Sequence, residues 1–288
     1  MYVQVDDVRL FFDTVGSALR PEGTAMRAVP TVIALHGGPG LDHSVLRPAL
    51  DALGEIAQII YLDLRGHGRS DRSSPEHWTL QRWADDLRRF CATLGIERPT
   101  VLGTSFGGYV AMMFAIRYPE LPARIILIST ALRGTADPER RARMLAAFAR
   151  VGGDEPRRVA ERVFDQRTPE AFAEYLKICG PCYTRRPGDP DASRRILGNP
   201  ELIPWFERSG GEGAVFNLKA ALAEIRCPVL VIGGEEDPIT PIAEQEDIVA
   251  ALPAGLGRLV RLSGCGHGVW RDDPEAAYLA VAGFVAGP

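Results

Sequence analysis

The apolar residues of this chain fall in short continuous runs, separated by longer segments in which they recur every three or four positions. A continuous run of about five residues is typical of a strand that is buried on both faces of a parallel sheet. We assign five runs to such strands, at residues 31–35, 58–62, 100–103, 124–129 and 228–233. The helical spacing is clearest after Thr79, a predicted N-cap, and extends to Leu94. The alternation predicts an α/β fold, a mostly parallel sheet with helices on both faces.

The remaining patterns complete this sheet at both ends. Residues 3–15 alternate apolar and polar positions and predict an N-terminal hairpin, whereas residues 17–29 show no periodicity and predict a surface loop. A helical segment is predicted near 44–53. After the strand at 228–233 we expect three further elements: a helix at 241–252, a strand at 258–262 and a closing helix at 274–286.

The alternation is interrupted once, between about 132 and 224. This stretch is rich in Arg and Glu, has Pro and Gly breaks and amphipathic helical segments, and contains no convincing strand. We therefore predict a core of residues 1–131 and 225–288 and a helical cap of residues 132–224. Aromatic residues of the cap are expected to pack in its core or to line a pocket: Phe148, Tyr175, Tyr183, Trp205 and Phe206.

Composition narrows the function. The chain has 288 residues, 46% of them apolar, and a net charge of −4, which gives no electrostatic basis for binding nucleic acid. The segment Met1–Asp7 lacks the basic region of a secretion signal, and no apolar run approaches the roughly 20 residues that span a bilayer. The five cysteines are irregularly spaced, as expected for reduced thiols, and we predict a cytoplasmic protein without membrane partners.

Cys179 and Cys182 form a Cys-x-x-Cys pattern that needs separate attention. A redox pair is preceded by a strand and followed by a helix, but here the preceding residues are helical and Tyr-Thr-Arg-Arg-Pro follows. No second Cys pair or His pair completes a zinc site. We interpret both cysteines as structural.

The segment Gly103-Thr104-Ser105-Phe106-Gly107 lies between a predicted strand and a predicted helix. That context is typical of a nucleophile elbow, in which glycines make room for a sharp turn and a serine hydroxyl is exposed above the sheet. We predict that Ser105 is a nucleophile and that the Phe106 N–H is one oxyanion donor.

Two later strand ends carry the groups that would activate a serine. Asp237 follows the strand at 228–233 and precedes Pro238, with Glu235 and Glu236 as rival carboxylates. His267 lies between glycines after the last strand, and it is the histidine that follows both the serine and the acid in the chain. The order Ser, Asp, His is the one expected for this architecture.

His36-Gly37-Gly38-Pro39-Gly40 follows the strand at 31–35. We predict that the Gly38 N–H is the second oxyanion donor and that His36 bonds the loop. Asp63–Ser70 is predicted to be a turn that braces this loop. The other three histidines are expected at the surface or as neighbours that support the site: His43, His67 and His77.

These motifs together resemble the α/β-hydrolase fold family. His-Gly-Gly-Pro-Gly and Asp-Leu-Arg-Gly-His-Gly-Arg-Ser, in particular, are similar to those of the proline iminopeptidase group, which removes N-terminal proline from peptides. The resemblance implies a triad of Ser105, Asp237 and His267 and a lid-like cap. It also implies cap carboxylates that hold the substrate's amino group, and this cap carries Glu207 and Glu212.

The expected function is that of a serine hydrolase which cleaves a small ester or amide through an acyl-enzyme, without a metal or cofactor. The substrate is a small molecule or short peptide. A lactonase or carboxylesterase is the main alternative, and a lyase or a ligand receptor on the same fold stays open. Ser105 argues against a dehalogenase or epoxide hydrolase, which need a carboxylate nucleophile. The oligomeric state is not determined by the sequence.

Overall fold

A computed structural model describes residues 1–287, apart from the side chain of Ser193. Its strands are β1 Tyr2–Val5, β2 Val8–Val15, β3 Leu19–Glu22, β4 Ala25–Ala28, β5 Thr31–Leu35, β6 Gln58–Leu62, β7 Thr100–Thr104, β8 Arg124–Ile128, β9 Val229–Gly234 and β10 Gly257–Leu262. Its helices are α1 Leu80–Thr93, α2 Phe106–Arg117, α3 Pro138–Gly152, α4 Asp154–Gln166, α5 Pro169–Cys179, α6 Ala192–Arg195, α7 Leu202–Phe206, α8 Glu212–Val215, α9 Ile242–Ala251, α10 Val269–Asp272 and α11 Pro274–Ala286.

Eight strands form one sheet in the order β1-β2-β6-β5-β7-β8-β9-β10. β1, β2 and β6 pair antiparallel, and all later neighbours are parallel. Because β5, β7, β8 and β9 run in one direction side by side, the loops that follow them open on the same edge of the sheet. This confirms the predicted α/β fold and explains why distant motifs meet.

The continuous apolar runs are buried on both faces, as predicted. Alternate strand residues such as Ile33 and Val101 pack against α1 and α2 on one face. Val32 and Leu102 point to the other face, where they pack with residues of α11. A strand with both faces covered cannot show the alternating pattern of a half-exposed strand.

Two expectations were wrong. Residues 17–29 contain a two-stranded hairpin, β3 and β4, with Gly23 at φ 61° in the turn. Both strands are largely exposed, so no buried face imposes an alternating pattern that could have identified them.

The helix predicted at 44–53 is also absent from the described chain. Two short 3-10 turns take its place, at His43–Leu46 and Asp51–Glu55. Pro48 explains the break, because it has no N–H to donate and disfavours helical geometry at the preceding residue, and Arg47 is extended, with φ −106° and ψ 146°.

The segment between β8 and β9 is helical, with α3 to α8 and no strand among its described residues. α3, α4 and α5 share a small apolar core around Phe148, Val159 and Tyr175. An isolated bridge between Arg133 and Asn217 brings the two ends of the segment together. The boundaries at 132 and 224 stay a prediction.

Within residues 1–287 we find no helix that is both long enough and apolar enough to cross a membrane.

A buried ion pair fixes the turn after β6. The guanidinium of Arg65 is fully buried and donates to both oxygens of Asp86 on α1, at 2.7 and 2.9 Å. It also donates to Asp7 of the N-terminal hairpin, at 3.0 and 2.9 Å. Trp83 donates its indole N–H to the Arg65 carbonyl at 3.0 Å. Arg65 thus joins the turn after β6 to helix α1 and to the N-terminal hairpin.

Asp86→Ala should lower the free energy of unfolding by about 3–5 kcal/mol, because it leaves a buried guanidinium without its buried partner. Urea unfolding measures the change. The neighbouring control Asp85→Ala removes a partly exposed acid bonded to Arg117 and Tyr118 and should cost about 1 kcal/mol or less. Equal losses in the two variants would contradict this account.

Candidate active site

Ser105 lies in the turn between β7 and α2, with φ 53° and ψ −116°. This conformation is strained for a residue with a side chain and is typical of a nucleophile elbow. The turn needs both flanking glycines. A Cβ on Gly103 would lie 2.3 Å from the Gly107 carbonyl oxygen, and one on Gly107 would lie 2.4 Å from the Leu35 carbonyl oxygen.

Hydrogen bonds hold the strained backbone. The Ser105 N–H donates to the Ile128 carbonyl at 2.8 Å, and the Ser105 carbonyl accepts from the Thr130 hydroxyl at 2.8 Å and from the Gly108 N–H at 2.9 Å. The neighbouring strand β8 and the residues after it therefore brace the turn. The Ser105 side chain is partly accessible.

The structure brings Ser105, His267 and Asp237 together from three loops. His267 Nε2 lies 3.1 Å from Ser105 Oγ, and its Nδ1 lies 2.8 Å from Asp237 Oδ2. A neutral ring that carries its proton on Nδ1 donates to the carboxylate and accepts the serine proton at Nε2. The imidazole is 14% exposed and the carboxylate is fully buried.

Asp237 is held as an anion without direct contact with water. One carboxylate oxygen accepts from the N–H groups of Ile239 and Thr240, at 2.7 and 2.9 Å, and the other accepts from the Thr240 hydroxyl at 2.7 Å. Burial alone would raise the pKa of Asp237, but the electrostatic interaction and hydrogen bond with His267, together with the two hydrogen bonds from Thr240, outweigh it and lower the pKa below its ordinary value.

The rival acids do not occupy this position. The carboxylate within 2.8 Å of His267 Nδ1 is that of Asp237, and Glu236 pairs with Arg185 at 3.5 Å. The ring of His267 therefore contacts the acid that the sequence favoured. Its catalytic role stays a prediction.

The loop after β5 runs along the elbow. A Cβ on Gly37 would lie 3.6 Å from Ser105 Cβ, and Gly38 has φ +131°, which favours glycine. Within residues 1–287, neither the Gly38 N–H nor the Phe106 N–H donates a hydrogen bond to the protein. Both amides are thus free to bind another group, and their assignment to an oxyanion hole stays a prediction.

His43 and His67 are buried rather than at the surface, while His77 is exposed. The His67 ring stacks on Phe106 at 5.4 Å and lies 4.8 Å from the His36 ring. Burial lowers the pKa of both His36 and His67, so these rings are neutral near pH 7 and support the elbow by packing.

One group of the described residues has metal-ligand character: Asp42, His43 and Asp63. Protein donors already satisfy it. Asp63 accepts from His43 Nδ1 at 2.7 Å, and Asp42 accepts from Arg69 at 3.0 Å. Since the Arg69 guanidinium and the bonds of Asp63 occupy these oxygens, we interpret the cluster as the brace predicted for this loop.

The two cap acids also have partners. Glu207 accepts from the Thr135 hydroxyl at 2.6 Å and pairs with Arg167 at 3.4 Å. Glu212 accepts from the Leu80 N–H at 2.8 Å, and its burial raises the pKa above its ordinary value despite that bond.

Cys179 and Cys182 are free and buried. Burial raises the pKa of the Cys179 thiol to about 12, and its Sγ donates to the Pro156 carbonyl. A thiol that is neutral at pH 7 is a poor nucleophile, which favours the structural interpretation.

Sequence reasoning missed three groups that contact the predicted site: Thr130 on the Ser105 carbonyl, Thr240 on Asp237, and Tyr183, whose carbonyl accepts from the His267 N–H at 2.6 Å. The turn at Asp237 had a local signal, because an aspartate side chain commonly accepts from the main chain two residues on, but this signal did not identify the Thr240 hydroxyl. Thr130 and Tyr183 had none, because their contacts join distant segments.

Comparison with known proteins identifies the class. A family model described as "Alpha/beta hydrolase family" matches residues 32–281. The chain belongs to this family, and it is a hydrolase.

Curated relatives give several more specific descriptions. "AB hydrolase superfamily protein YisY" of Bacillus subtilis is 26% identical over 98% of both chains. "Proline iminopeptidase PfmaB" of Pestalotiopsis fici is 39% identical, over 35% of this chain and 37% of that protein. "Putative carbamate hydrolase RutD" of Escherichia coli is 26% identical over 85% of this chain and 87% of that protein.

Solved structures share the fold over nearly the whole chain. The proline iminopeptidase of Mycobacterium smegmatis superposes with a TM-score of 0.76 at 23% identity, covering 99% of this chain and 97% of that one. An esterase of Exiguobacterium antarcticum gives 0.73 at 18% identity, with 99% of each chain covered. The iminopeptidase likeness suggested by the sequence motifs is confirmed.

Gly107→Ala should destabilise the protein by about 1–3 kcal/mol, because the new methyl group meets main-chain oxygens that cannot move independently. The matched control is Gly283→Ala in α11, where a Cβ meets nothing within 4 Å. That change should stabilise by about 0.5–1 kcal/mol through helix propensity. Thermal unfolding of both variants measures the signs, and a stabilising Gly107→Ala would contradict the proposed close approach.

Asp237→Asn should reduce stability by about 1–3 kcal/mol near neutral pH, because charge-assisted hydrogen bonds are lost. The folded-state pKa of Asp237 lies below its ordinary 3.8, so the carboxylate stabilises the fold above that pH and loses this contribution as the pH falls through the folded value. Urea unfolding of both proteins at pH 7 and pH 3 should show the difference shrinking at pH 3. A difference that grows at pH 3 would contradict the assignment.

Proposed function

We propose that this protein is a serine hydrolase that cleaves a small ester or amide through an acyl-enzyme. The observation that carries the proposal is the continuous hydrogen-bonded chain from Ser105 Oγ through the His267 ring to the buried Asp237 carboxylate, with distances of 3.1 and 2.8 Å. A partly accessible hydroxyl within hydrogen-bond distance of an imidazole is the arrangement that nucleophilic catalysis requires.

The mechanism follows from these positions. His267 Nε2 takes the proton of Ser105 as Oγ attacks the substrate carbonyl carbon. The negative charge that develops on the carbonyl oxygen is stabilised by the N–H groups of Gly38 and Phe106. Asp237 stabilises the imidazolium, which then protonates the leaving group. Water, activated by the same imidazole, hydrolyses the acyl-enzyme and frees Ser105.

No cofactor takes part in these steps, because the three side chains and two amides supply nucleophile, base and charge stabilisation. The substrate is a small molecule or a short peptide.

The leaving group distinguishes two candidate functions. Relatives named proline iminopeptidase support a peptidase that removes an N-terminal proline. The partners of the cap acids favour an esterase or lactonase instead. Glu207 already balances the charge of Arg167, and Glu212 accepts from the Leu80 N–H, so both carboxylates have partners within the protein in place of a substrate ammonium group.

Ser105→Ala should lower kcat for p-nitrophenyl acetate by about 10⁴-fold or more, because the nucleophile is lost while the rest of the site is kept. The matched control is Ser263→Ala, an exposed serine in the loop that precedes His267. Hydrolysis and labelling by a serine-directed fluorophosphonate are measured together with the unfolding temperature. A folded Ser105→Ala protein that keeps most of its turnover would refute the proposal.

A substrate panel separates the two candidates. Aliphatic p-nitrophenyl esters, small lactones and prolyl p-nitroanilide are compared by kcat/KM. Preference for esters or lactones is expected from the paired state of Glu207. Preference for prolyl p-nitroanilide by tenfold or more would establish the peptidase.

A further inference from the structure

The loop of residues 263–268 carries His267, and we call it the histidine loop. It is attached to the cap as well as to the core. The main-chain N–H of His267 donates to the Tyr183 carbonyl at 2.6 Å, and the Tyr183 ring and the imidazole lie nearly perpendicular to each other with centroids 5.7 Å apart. Tyr183 begins a short stretch after α5, residues 183–186, which we call the cap segment. The cap is thus bonded to the main chain of the residue that would act as general base.

Asp272, the last residue of α10, joins the same two parts of the chain through its side chain. It is 4% exposed. Its Oδ2 accepts from the Gly266 N–H at 2.8 Å, directly before His267. Its Oδ1 accepts from the N–H groups of Arg185 and Arg186, at 2.8 and 2.9 Å. One carboxylate therefore holds the histidine loop and the cap segment together.

The packing leaves little room for the histidine loop to move alone. A Cβ on Gly266 would lie 2.4 Å from the Tyr183 carbonyl oxygen, and a Cβ on Gly268 would lie 2.6 Å from a methyl group of Thr184. On the other side, a Cβ on Gly234 at the end of β9 would lie 2.3 Å from carbonyl oxygens of the loop. The loop is enclosed between the cap segment and the sheet.

We infer that Asp272 is a positioning residue, which fixes the His267 imidazole against Ser105 by joining the histidine loop to the cap segment. We call its three hydrogen bonds, to the N–H groups of Gly266, Arg185 and Arg186, the lock. The inference rests on the proposed function for the role of the imidazole, but the lock itself is a property of the fold. Gly266 is buried, so loss of the carboxylate would leave its main-chain N–H without its acceptor. Opening of the cap segment removes the Tyr183 carbonyl that accepts from the His267 N–H, so we expect the histidine loop to open with it.

A loosened lock should affect the chemical step more than substrate binding. A displacement of about 1 Å in a catalytic group costs about 100-fold in rate. Asp272 reaches His267 through the main chain, so the substrate pocket keeps its composition. The expected signature is a fall in kcat with KM nearly unchanged.

The test compares Asp272→Asn with Asp273→Asn. An asparagine at 272 has one acceptor oxygen, so it can hold either the Gly266 N–H or the cap segment, but not both. Asp273 is a matched control because its Oδ1 caps α11 at the Ala276 N–H, at 3.0 Å, and asparagine is an equally good N-cap. With p-nitrophenyl acetate, we expect kcat to fall about 10–100-fold in the first variant, by the displacement argument, and less than twofold in the second.

Hydrogen exchange tests the lock independently of catalytic activity, because it measures the protection of main-chain amides. In the wild-type protein at low denaturant, peptides that cover 182–187 and 264–268 should lose protection together, with the same free energy of opening. Asp272→Asn should raise exchange in both peptides, and Asp273→Asn in neither. The wild-type measurement stands even if a variant does not fold.

Two results would overturn the inference. A kcat for Asp272→Asn within twofold of the control, or a histidine loop that stays protected after the cap segment has opened, overturns the inference. Coupled exchange in a protein whose wild type neither hydrolyses esters nor reacts with fluorophosphonate would leave the lock in place and refute the proposed function instead.

Discussion

The close approach of main chain to main chain at the elbow is the constraint on which the site depends. β7 must end beside β5, and α2 must begin at once, so that Gly107 lies against the carbonyl oxygen of Leu35. A side chain at Gly103 or Gly107 would separate these elements. The same approach forces Ser105 into a conformation that is unfavourable by itself, and the surrounding sheet has to supply the energy that maintains it.

The buried titratable groups of the site differ in charge, and this difference matches the roles that we assign to them. Asp237 is buried but receives enough hydrogen bonds to stay charged, so it is able to orient and stabilise an imidazolium. The Nδ1 atoms of the buried His36 and His67 rings face main-chain carbonyls instead of a carboxylate, and burial keeps both rings neutral. His36 and His67 therefore pack under the elbow, whereas His267 is a partly exposed ring beside Ser105.

The helical segment between β8 and β9 contacts the loops that carry Asp237 and His267. Arg150 bonds the carbonyl of Glu235, Arg185 pairs with Glu236, and the cap segment bonds the histidine loop. Both loops that accompany Ser105 are thus in contact with the insertion. A change in cap sequence can alter reactivity as well as specificity, which helps to explain how one fold serves relatives named esterase, iminopeptidase and carbamate hydrolase.

The sequence by itself determined the order of the elements and the chemistry at the strand ends. Fully buried strands can be recognised as apolar runs, and Ser105 and Asp237 each follow such a run, whereas His267 follows the edge strand β10 in a turn marked by glycines. Elements without a buried face could not be predicted from the sequence, as β3 and β4 illustrate. The helix predicted at 44–53 did not form because Pro48 interrupts it. Only the tertiary structure decided which acid reaches His267, which hydroxyls brace Ser105 and that Asp272 bonds the cap. These contacts join residues far apart in the chain, and no local pattern encodes the distance between them.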